Sequence, residues 1–297
     1  MSTAWKIVLI VLAALIALVI IGLQIIGGFM RMNDRKIAKY FKDAPAQPHF
    51  STYEFDGRCM SMASVGDHRN PLVLFVHGSP GSWDGYASYF KDTALLHRAQ
   101  MISMDRPGYE KKGKGKVEPS MERQAAAIGK ILEKVDFGIP VILVGHSLGG
   151  PVVSRAAMDF PERIDGVVIV AGSIDPEQER VKTIQKIGKF PLIRWMVPKA
   201  LDVCNMEILP LKKELEAMLP FWKNIKQDVI FIQGEKDNLV PPDNADFAEE
   251  QLVNANLEVI RLPEGDHFIL WSEQVLITEQ IIKLVDKYEA MMEREFE

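Results

Sequence analysis

Nearly unbroken apolar runs alternate with helical patterns from residue 50 to the end of the chain. Continuous apolar runs are typical of strands buried on both faces of a sheet, and apolar residues three and four positions apart predict helices. Predicted strands lie at 71–78, 100–108, 141–145, 166–172, 228–234 and 257–263, after two strands within 51–66. Predicted helices lie at 120–135, 148–161, 244–254 and 271–292. This alternation predicts an α/β fold with a mostly parallel central sheet and helices on both faces.

One segment, residues 174–222, breaks this alternation. It has no strand pattern, and it is rich in Met and aromatic residues. Prolines divide it into helical pieces at Pro176, Pro191, Pro198, Pro210 and Pro220. Ligands of parallel α/β sheets bind beyond the carboxyl ends of the strands. We therefore predict that this segment is an inserted helical lid over that edge of the sheet.

The first 30 residues form a separate unit. Over residues 7–30 the only strongly polar side chain is Gln24. A run of this length can cross a bilayer. It exceeds the apolar core of a cleaved signal peptide, and no clear cleavage site follows it. We therefore predict a retained transmembrane anchor over 1–30 rather than a signal peptide. A basic juxtamembrane linker over 31–49 and the α/β domain over 50–297 are predicted to follow.

Charge and cysteine content narrow the possible functions. The formal net charge of −5 gives no electrostatic footprint for nucleic acid, so we expect no nucleic-acid partner. Cys59 and Cys204 lie far apart and outside any Cys/His cluster, which argues against a zinc site or a disulfide framework. We interpret both cysteines as small core residues. A group of cations directly after the apolar run favours a cytoplasmic location for the domain by the positive-inside rule. These cations are Arg31, Arg35, Lys36, Lys39 and Lys42.

The stretch VILVGHSLGG, residues 141–150, places Ser147 between a predicted strand and a predicted helix. Its core fits the pattern G-x-S-x-G, in which a sharp strand-to-helix turn exposes the serine hydroxyl. The N-terminus of the following helix offers N–H groups to a developing oxyanion. We therefore predict that Ser147 is a nucleophile.

A serine hydroxyl needs a base, and the base needs an acid that orients it. His267 lies directly after the last predicted strand and is the predicted base. Asp237, in the loop after the strand at 228–234, is the predicted acid, and Glu235 is its rival. The chain order Ser, Asp, His is one of the three known orders of this triad.

The same chemistry needs donors for an oxyanion. Leu148 follows the predicted nucleophile directly, and its backbone N–H is one candidate. The loop HGSPGSW after the strand at 71–78 supplies the other. Pro80 in this loop has no N–H to give, so the backbone N–H of Ser79 is the predicted second donor.

Five stretches in a fixed order, HGSPGSW, DRPGY, GHSLGG, GEKDNLVP and GDHF, resemble the α/β-hydrolase fold superfamily over residues 50–297. The resemblance implies acyl transfer by Ser147, His267 and Asp237, with no metal or organic cofactor. Epoxide hydrolases and haloalkane dehalogenases are similar around the first stretch but use an aspartate nucleophile. The serine at position 147 argues against both.

These observations predict a membrane-anchored serine hydrolase that cleaves the carboxylic ester of a small molecule. The apolar lid and the anchor favour a lipophilic ester. A thioesterase or a C–C bond hydrolase with the same triad stays open, because nothing in these residues separates the reactions. A non-catalytic binding protein on the same fold is the third alternative, and the complete triad argues against it.

Overall fold

A mixed sheet forms the centre of the molecule. The structure is a computed structural model that describes residues 2–110 and 116–295. Three parts of the predicted units lie outside the described residues. They are residue 1 of the predicted anchor, and residues 111–115 and 296–297 of the predicted α/β domain. The described strands are β1 (His49–Phe55), β2 (Arg58–Val65), β3 (Leu72–Val76), β4 (Gln100–Met104), β5 (Val141–His146), β6 (Gly166–Val170), β7 (Asp228–Gly234) and β8 (Asn256–Leu262).

The strands are ordered β1-β2-β4-β3-β5-β6-β7-β8 across the sheet. β1 and β2 form an antiparallel hairpin, and β2 also pairs antiparallel with β4. All other neighbours, from β4 through β8, are parallel. The prediction of a mostly parallel sheet is confirmed. The carboxyl ends of the parallel strands meet at one edge, which is where ligands of such sheets bind.

Helices follow most of the parallel strands. The described α-helices are α1 (Thr3–Phe29), α2 (Asp34–Tyr40), α3 (Thr93–Leu96), α4 (Met121–Leu132), α5 (Gly149–Asp159), α6 (Thr183–Gly188), α7 (Pro191–Arg194), α8 (Lys199–Met218), α9 (Asp243–Gln251), α10 (Ile269–Ser272) and α11 (Gln274–Glu295). The single helix predicted at 271–292 is divided into α10 and α11, because the backbone of Glu273 leaves the helical conformation between them. α4 begins where the Ser120 side chain accepts a hydrogen bond from the backbone N–H of Arg123 at 3.4 Å.

Apolar side chains cover both faces of the sheet. Within β3, Leu72 and Leu74 point to one face, whereas Val73 and Phe75 point to the other, because successive side chains of a strand alternate. The first face packs against α4, α5 and α8, and the second packs against α3, α10 and α11. The predicted helices on both faces are therefore confirmed.

The segment 174–222 carries α6, α7 and α8, and no strand is found in it. α8 packs one row of side chains against the domain, four residues apart. This buried row consists of Val203, Glu207, Leu211 and Leu215. Pro210 lies within α8 and does not end a helix there, because buried residues on both sides of it hold the helix in place.

α1 is the one helix of the described residues that is long and apolar enough to cross a membrane, over Thr3–Gly28. α2 follows it after a short turn, and the Asn33 side chain caps α2 by accepting from the N–H of Lys36 at 2.9 Å.

Both cysteines are free. Cys204 on α8 is half-buried, but Cys59 on β2 is exposed. The interpretation of Cys59 as a core residue is therefore wrong. The reason is its position: Cys59 pairs with Glu54 near the turn of the edge hairpin, and both side chains lie on the face of the hairpin that the described residues leave exposed.

Candidate active site

Ser147 occupies the sharp turn between β5 and α5. Its φ of 54° lies in the left-handed region, which residues with a side chain rarely adopt. Its N–H donates to the Val170 carbonyl at 3.0 Å. Glycines on both sides permit this turn, because a Cβ on Gly145 would overlap the Gly149 carbonyl, and one on Gly149 would overlap the Val76 carbonyl. The backbone therefore holds the Ser147 hydroxyl at the carboxyl edge of the sheet.

His267 lies between Ser147 and Asp237. The Ser147 hydroxyl donates to Nε2 of His267 at 3.1 Å, and Nδ1 of His267 donates to Oδ2 of Asp237 at 2.7 Å. The other carboxylate oxygen, Oδ1, accepts from the N–H groups of Leu239 and Val240, each at 2.8 Å. These two backbone donors fix the carboxylate, so that Oδ2 faces the imidazole. The structure therefore brings the predicted nucleophile, base and acid together.

The carboxylates adjacent to this cluster have other partners. Glu235, the rival acid, points to Arg261, with 3.5 Å between Oε1 and Nη1. Asp266 accepts from the N–H of Phe268 at 2.7 Å. Asp237 is the carboxylate that contacts the His267 ring.

A second histidine, His146, supports the first. Its ring lies 5.0 Å from the His267 ring, and its Nε2 is 3.0 Å from the His267 carbonyl oxygen. Burial lowers the pKa of His146 to about 4, so the ring is neutral at pH 7. Because a carbonyl only accepts, we assign the single N–H of His146 to Nε2. Sequence reasoning missed this contact, although the position of His146 at the end of β5 is a signal for it.

The two predicted oxyanion donors lie at the same pocket as the nucleophile. Ser79, Leu148, Ser147 and His267 all line a pocket of about 380 Å³. Among the described residues, neither the backbone N–H of Ser79 nor that of Leu148 has a hydrogen-bond acceptor. Two such N–H groups beside a nucleophile can stabilise the negative charge of a tetrahedral intermediate.

The remaining pocket wall combines apolar and polar side chains. Ser173 and Glu179 make a short hydrogen bond within it, and burial raises the pKa of Glu179 above its ordinary value. The apolar part of the wall is formed by Ile208, Leu211, Leu239 and Val240. The described residues contain no group of three or more His, Cys, Asp or Glu side chains arranged to hold a metal ion.

Glu207 of α8 is the centre of a buried network behind the loop of Ser79. Its carboxylate accepts from Nη1 and Nη2 of Arg106 at 2.9 and 3.3 Å, and from Nε2 of Gln124 at 2.9 Å. It also accepts from the Tyr109 hydroxyl at 2.8 Å and from the Ser79 hydroxyl at 2.7 Å. Glu207 and Arg106 are both fully buried. The hydrogen bond from Ser79 therefore joins the predicted lid to the predicted oxyanion loop. The buried ion pair joins the same glutamate to Arg106 in the loop after β4.

Arg106 also fixes the backbone that precedes Ser79. Its Nε donates to the His77 carbonyl at 2.8 Å, and its Nη2 donates to the Gly78 carbonyl at 2.9 Å. Burial holds the pKa of His77 well below its ordinary value, so the neutral ring accepts the Arg106 backbone N–H at Nε2, at 3.0 Å. Sequence reasoning assigned no role to Arg106 or Glu207. The available signal was an acidic residue within the buried row of α8.

Arg31, which follows α1, contacts the same loop after β4 that carries Arg106. Nη2 of Arg31 lies 2.7 Å from Oδ2 of Asp105, and Nη1 donates to the Tyr109 carbonyl at 3.1 Å. The second oxygen of Asp105 accepts the N–H of Trp83 at 3.0 Å. Burial raises the pKa of Asp105 to about 6, against the opposing effect of the Arg31 charge. Asp105 directly precedes Arg106, so the end of α1 is joined to the loop that supports the site.

Comparisons with known proteins agree with this architecture. A family model of the α/β hydrolase fold matches residues 71–191. The chloroplastic protein PHYLLO of Arabidopsis thaliana is 26% identical over 188 residues, which are 59% of this chain. The chain spans only 11% of the length of that relative.

Two solved structures superpose on nearly the whole chain. A putative lipase from Acinetobacter baumannii has a TM-score of 0.68 at 16% identity, over 88% of this chain and 98% of the other. A bacterial membrane phospholipase A has a TM-score of 0.62 at 14% identity, over 96% of this chain and 98% of the other. Identities this low show the fold. The strand order, the family match over residues 71–191 and these superpositions together show that the chain has the α/β-hydrolase fold.

Proposed function

We propose that the chain is a serine hydrolase that transfers the acyl group of an ester to Ser147 and then to water. One observation carries the proposal: the hydrogen bonds that run from Ser147 through His267 to Asp237, at 3.1 and 2.7 Å. A serine hydroxyl is a poor nucleophile by itself, and this series of contacts supplies its base and the acid that orients the base.

In the proposed reaction, Oγ of Ser147 bonds to the ester carbonyl carbon while Nε2 of His267 takes its proton. Asp237 stabilises the resulting imidazolium. The carbonyl oxygen becomes negative and accepts from the backbone N–H groups of Ser79 and Leu148. His267 then gives its proton to the departing alcohol. A water molecule repeats the sequence on the acyl-enzyme and releases the acid.

We propose that the ester is lipophilic. The apolar wall of the pocket supports this substrate class, with Ile208, Leu211 and Leu239 beside the nucleophile. The superposition on a membrane phospholipase A over nearly the whole chain also favours it.

We also propose that α1 is a retained membrane anchor and that the segment 174–222 is a lid. The contacts of α1 with the domain support retention, because cleavage of a signal peptide would remove them. Gln24 donates to the Met196 carbonyl at 3.2 Å, and Gly27 packs against Pro198. The cytoplasmic location of the domain remains a prediction from the flanking charges.

Labelling with a fluorescent fluorophosphonate tests the nucleophile. The full chain in detergent micelles should label, and Ser147→Ala should not. Ser154→Ala is the matched control, since Ser154 is a buried serine on the following helix α5 and should leave labelling intact. No labelling of the wild type, or labelling of Ser147→Ala, would overturn the proposal.

A series of p-nitrophenyl esters from acetate to palmitate tests the substrate class. We expect kcat/KM to rise with acyl length before it falls. A maximum at acetate would reject the lipophilic ester while leaving the serine mechanism in place.

A further inference from the structure

The part of the proposed lid that follows Asp175, Glu177 and Glu179 is strongly cationic. Residues 180–199 contain six cations and no Asp or Glu, in a chain whose formal net charge is −5. The cations are Arg180, Lys182, Lys186, Lys189, Arg194 and Lys199. Two of them have a carboxylate partner, because Arg194 and Lys199 pair with Asp202 on α8. The other four have no carboxylate partner among the described residues.

The same segment exposes large apolar side chains. They are between 46% and 70% exposed, and they lie on or next to α6 and α7. These side chains are Ile184, Ile187, Phe190, Leu192 and Trp195. We call them, together with Lys182, Lys186 and Lys189, the lid face. Exposed apolar and aromatic side chains interleaved with lysines are typical of surfaces that lie in the membrane interface.

The segment directly after the lid face, residues 196–198, lies beside α1. Gln24 is hydrogen-bonded to the Met196 carbonyl at 3.2 Å. A Cβ on Gly27 would come within 2.5 Å of the Pro198 side chain, so the two backbones are in close contact. Gln24 precedes the end of α1 at Phe29 by five residues, which corresponds to about 7.5 Å of helix. Met196, directly after Trp195, is therefore level with the last apolar turns of α1.

We propose that the lid face inserts into the same membrane leaflet in which α1 ends. This inference rests on the proposed role of α1 as a membrane anchor. Interfacial helices bury their apolar side about 5–10 Å below the headgroup boundary, which matches the depth at which α1 holds Met196. The unpaired lysines then contact the headgroups, and they favour anionic lipids over zwitterionic ones.

This placement has a consequence for the substrate. Lys182 of the lid face lines the pocket of Ser147, together with its neighbours Arg180 and Gln185. A lipophilic ester in the leaflet therefore reaches the pocket along the lid, without crossing bulk water. The lid face is part of the entry route, in addition to any role as a cover.

Depth-dependent quenching in nanodiscs tests the proposal without any measurement of activity. The full chain carries Cys59→Ser, which removes the exposed thiol, and one new cysteine labelled with NBD. The label is placed on the lid face (Leu192→Cys), within α1 (Ile16→Cys) or at the amino end of β5 (Phe137→Cys), where Phe137 is 82% exposed. The nanodiscs contain phosphatidylcholine and phosphatidylglycerol, with or without doxyl-labelled lipid. The Cys59→Ser parent measures any background labelling of Cys204.

We expect doxyl lipid to quench the labels at Leu192 and Ile16 and to leave the label at Phe137 bright. If the label at Ile16 is quenched but the label at Leu192 is as bright as that at Phe137, the proposed insertion of the lid face is wrong. The proposed anchor would still stand. An unquenched label at Ile16 would reject the anchor and the inference with it.

A second comparison tests the cations. Omission of phosphatidylglycerol should reduce quenching at Leu192. Lys186→Gln with Lys189→Gln should reduce it in the anionic nanodiscs as well, whereas Lys130→Gln on the distant helix α4 should not. Equal quenching in both lipid mixtures would reject the preference for anionic lipid.

Discussion

The hydroxyl of Ser79 donates to Oε2 of Glu207 at 2.7 Å, across 128 residues of sequence. Ser79 belongs to the loop of the proposed oxyanion donor, and Glu207 belongs to α8 of the proposed lid. We therefore expect any movement of α8 to act on the backbone of Ser79, whose N–H is the proposed oxyanion donor. We therefore propose that Glu207 is a positioning residue, although it does not touch the nucleophile.

Glu207→Gln should lower both stability and turnover. It leaves the buried Arg106 charge without a counter-charge, and breaking a buried ion pair in this way costs about 3–5 kcal/mol. If the loop of Ser79 also shifts, kcat falls by up to the ~10²–10³-fold that loss of an oxyanion donor costs, and KM changes little. Thermal unfolding and steady-state kinetics measure the two effects.

Glu216→Gln is the control for this variant, because Glu216 is an exposed residue of the same helix. Ser79→Ala supplies an independent check, since it keeps the backbone N–H and removes only the hydroxyl that contacts Glu207. It should lower kcat less than Glu207→Gln does. An unchanged kcat in Glu207→Gln would show that Glu207 serves stability alone.

Asp237→Asn should lower kcat by about 10³–10⁴-fold with little change in stability. The two backbone N–H groups that hold Oδ1 can still hold the amide oxygen. The amide nitrogen then faces Nδ1 of His267 and favours the tautomer that cannot accept the serine proton. Glu235→Gln is the matched control and should keep near wild-type activity. A larger loss of kcat in Glu235→Gln than in Asp237→Asn would instead identify Glu235 as the acid of the triad.

Gly149→Ala should destabilise the fold by more than about 2 kcal/mol, because the added methyl would overlap a backbone carbonyl of β3. Gly85→Ala is the control, since its added Cβ meets only an ordinary contact at 4.0 Å, with the Trp271 ring. Urea unfolding of the detergent-solubilised chain compares them. Similar midpoints for the two variants would contradict the tight approach of the nucleophile turn to β3.

The buried carboxyl of Asp105 makes stability depend on pH. Its pKa is raised from 3.8 to about 6, which corresponds to about 3 kcal/mol of destabilisation once the group is ionised. Between pH 4 and 6 the unfolded chain loses this proton first and the folded chain keeps it. Since the folded state then binds more protons, its stability falls as the pH rises, and the loss is complete above pH 6.

The difference in melting temperature between wild type and Asp105→Asn isolates this titration. The melting temperature of the wild type should fall relative to that of Asp105→Asn as the pH rises from 4 to 6, and the difference should stay constant above that range. Glu54→Gln, at an exposed position of β1, should show no comparable trend. If the melting temperature of the wild type instead rises relative to that of Asp105→Asn over this range, the ion pair with Arg31 outweighs the effect of burial on the pKa of Asp105.

Local patterns predicted the strands and the residues that follow them. Continuous apolar runs identified the buried strands, and the end of each parallel strand marked the positions of Ser147, Asp237 and His267. These three residues are far apart in sequence, but each occupies a strand end, so knowledge of the sheet edge sufficed to bring them together.

Contacts between distant segments were not predictable in this way. Arg106 and Glu207 are 101 residues apart, and Arg31 and Asp105 are 74 residues apart. Neither pair follows a strand or helix period, and a charged residue in an apolar row gives no indication of its partner. The exposure of Cys59 was missed for a related reason, because only the packed fold shows which face of the hairpin remains uncovered.

The hydrogen bond from Gln24 to the Met196 carbonyl gives α1 a specific contact with the domain, in addition to its proposed role as a membrane anchor. A foreign apolar helix of equal length, joined before Arg31, would keep the proposed attachment to a bilayer but would lose the side chain of Gln24, which contacts the domain at Met196. The segment around Met196 would then have no fixed height relative to the end of the helix. Through Gln24, α1 therefore fixes both the height and the rotation of the helix relative to the segment around Met196.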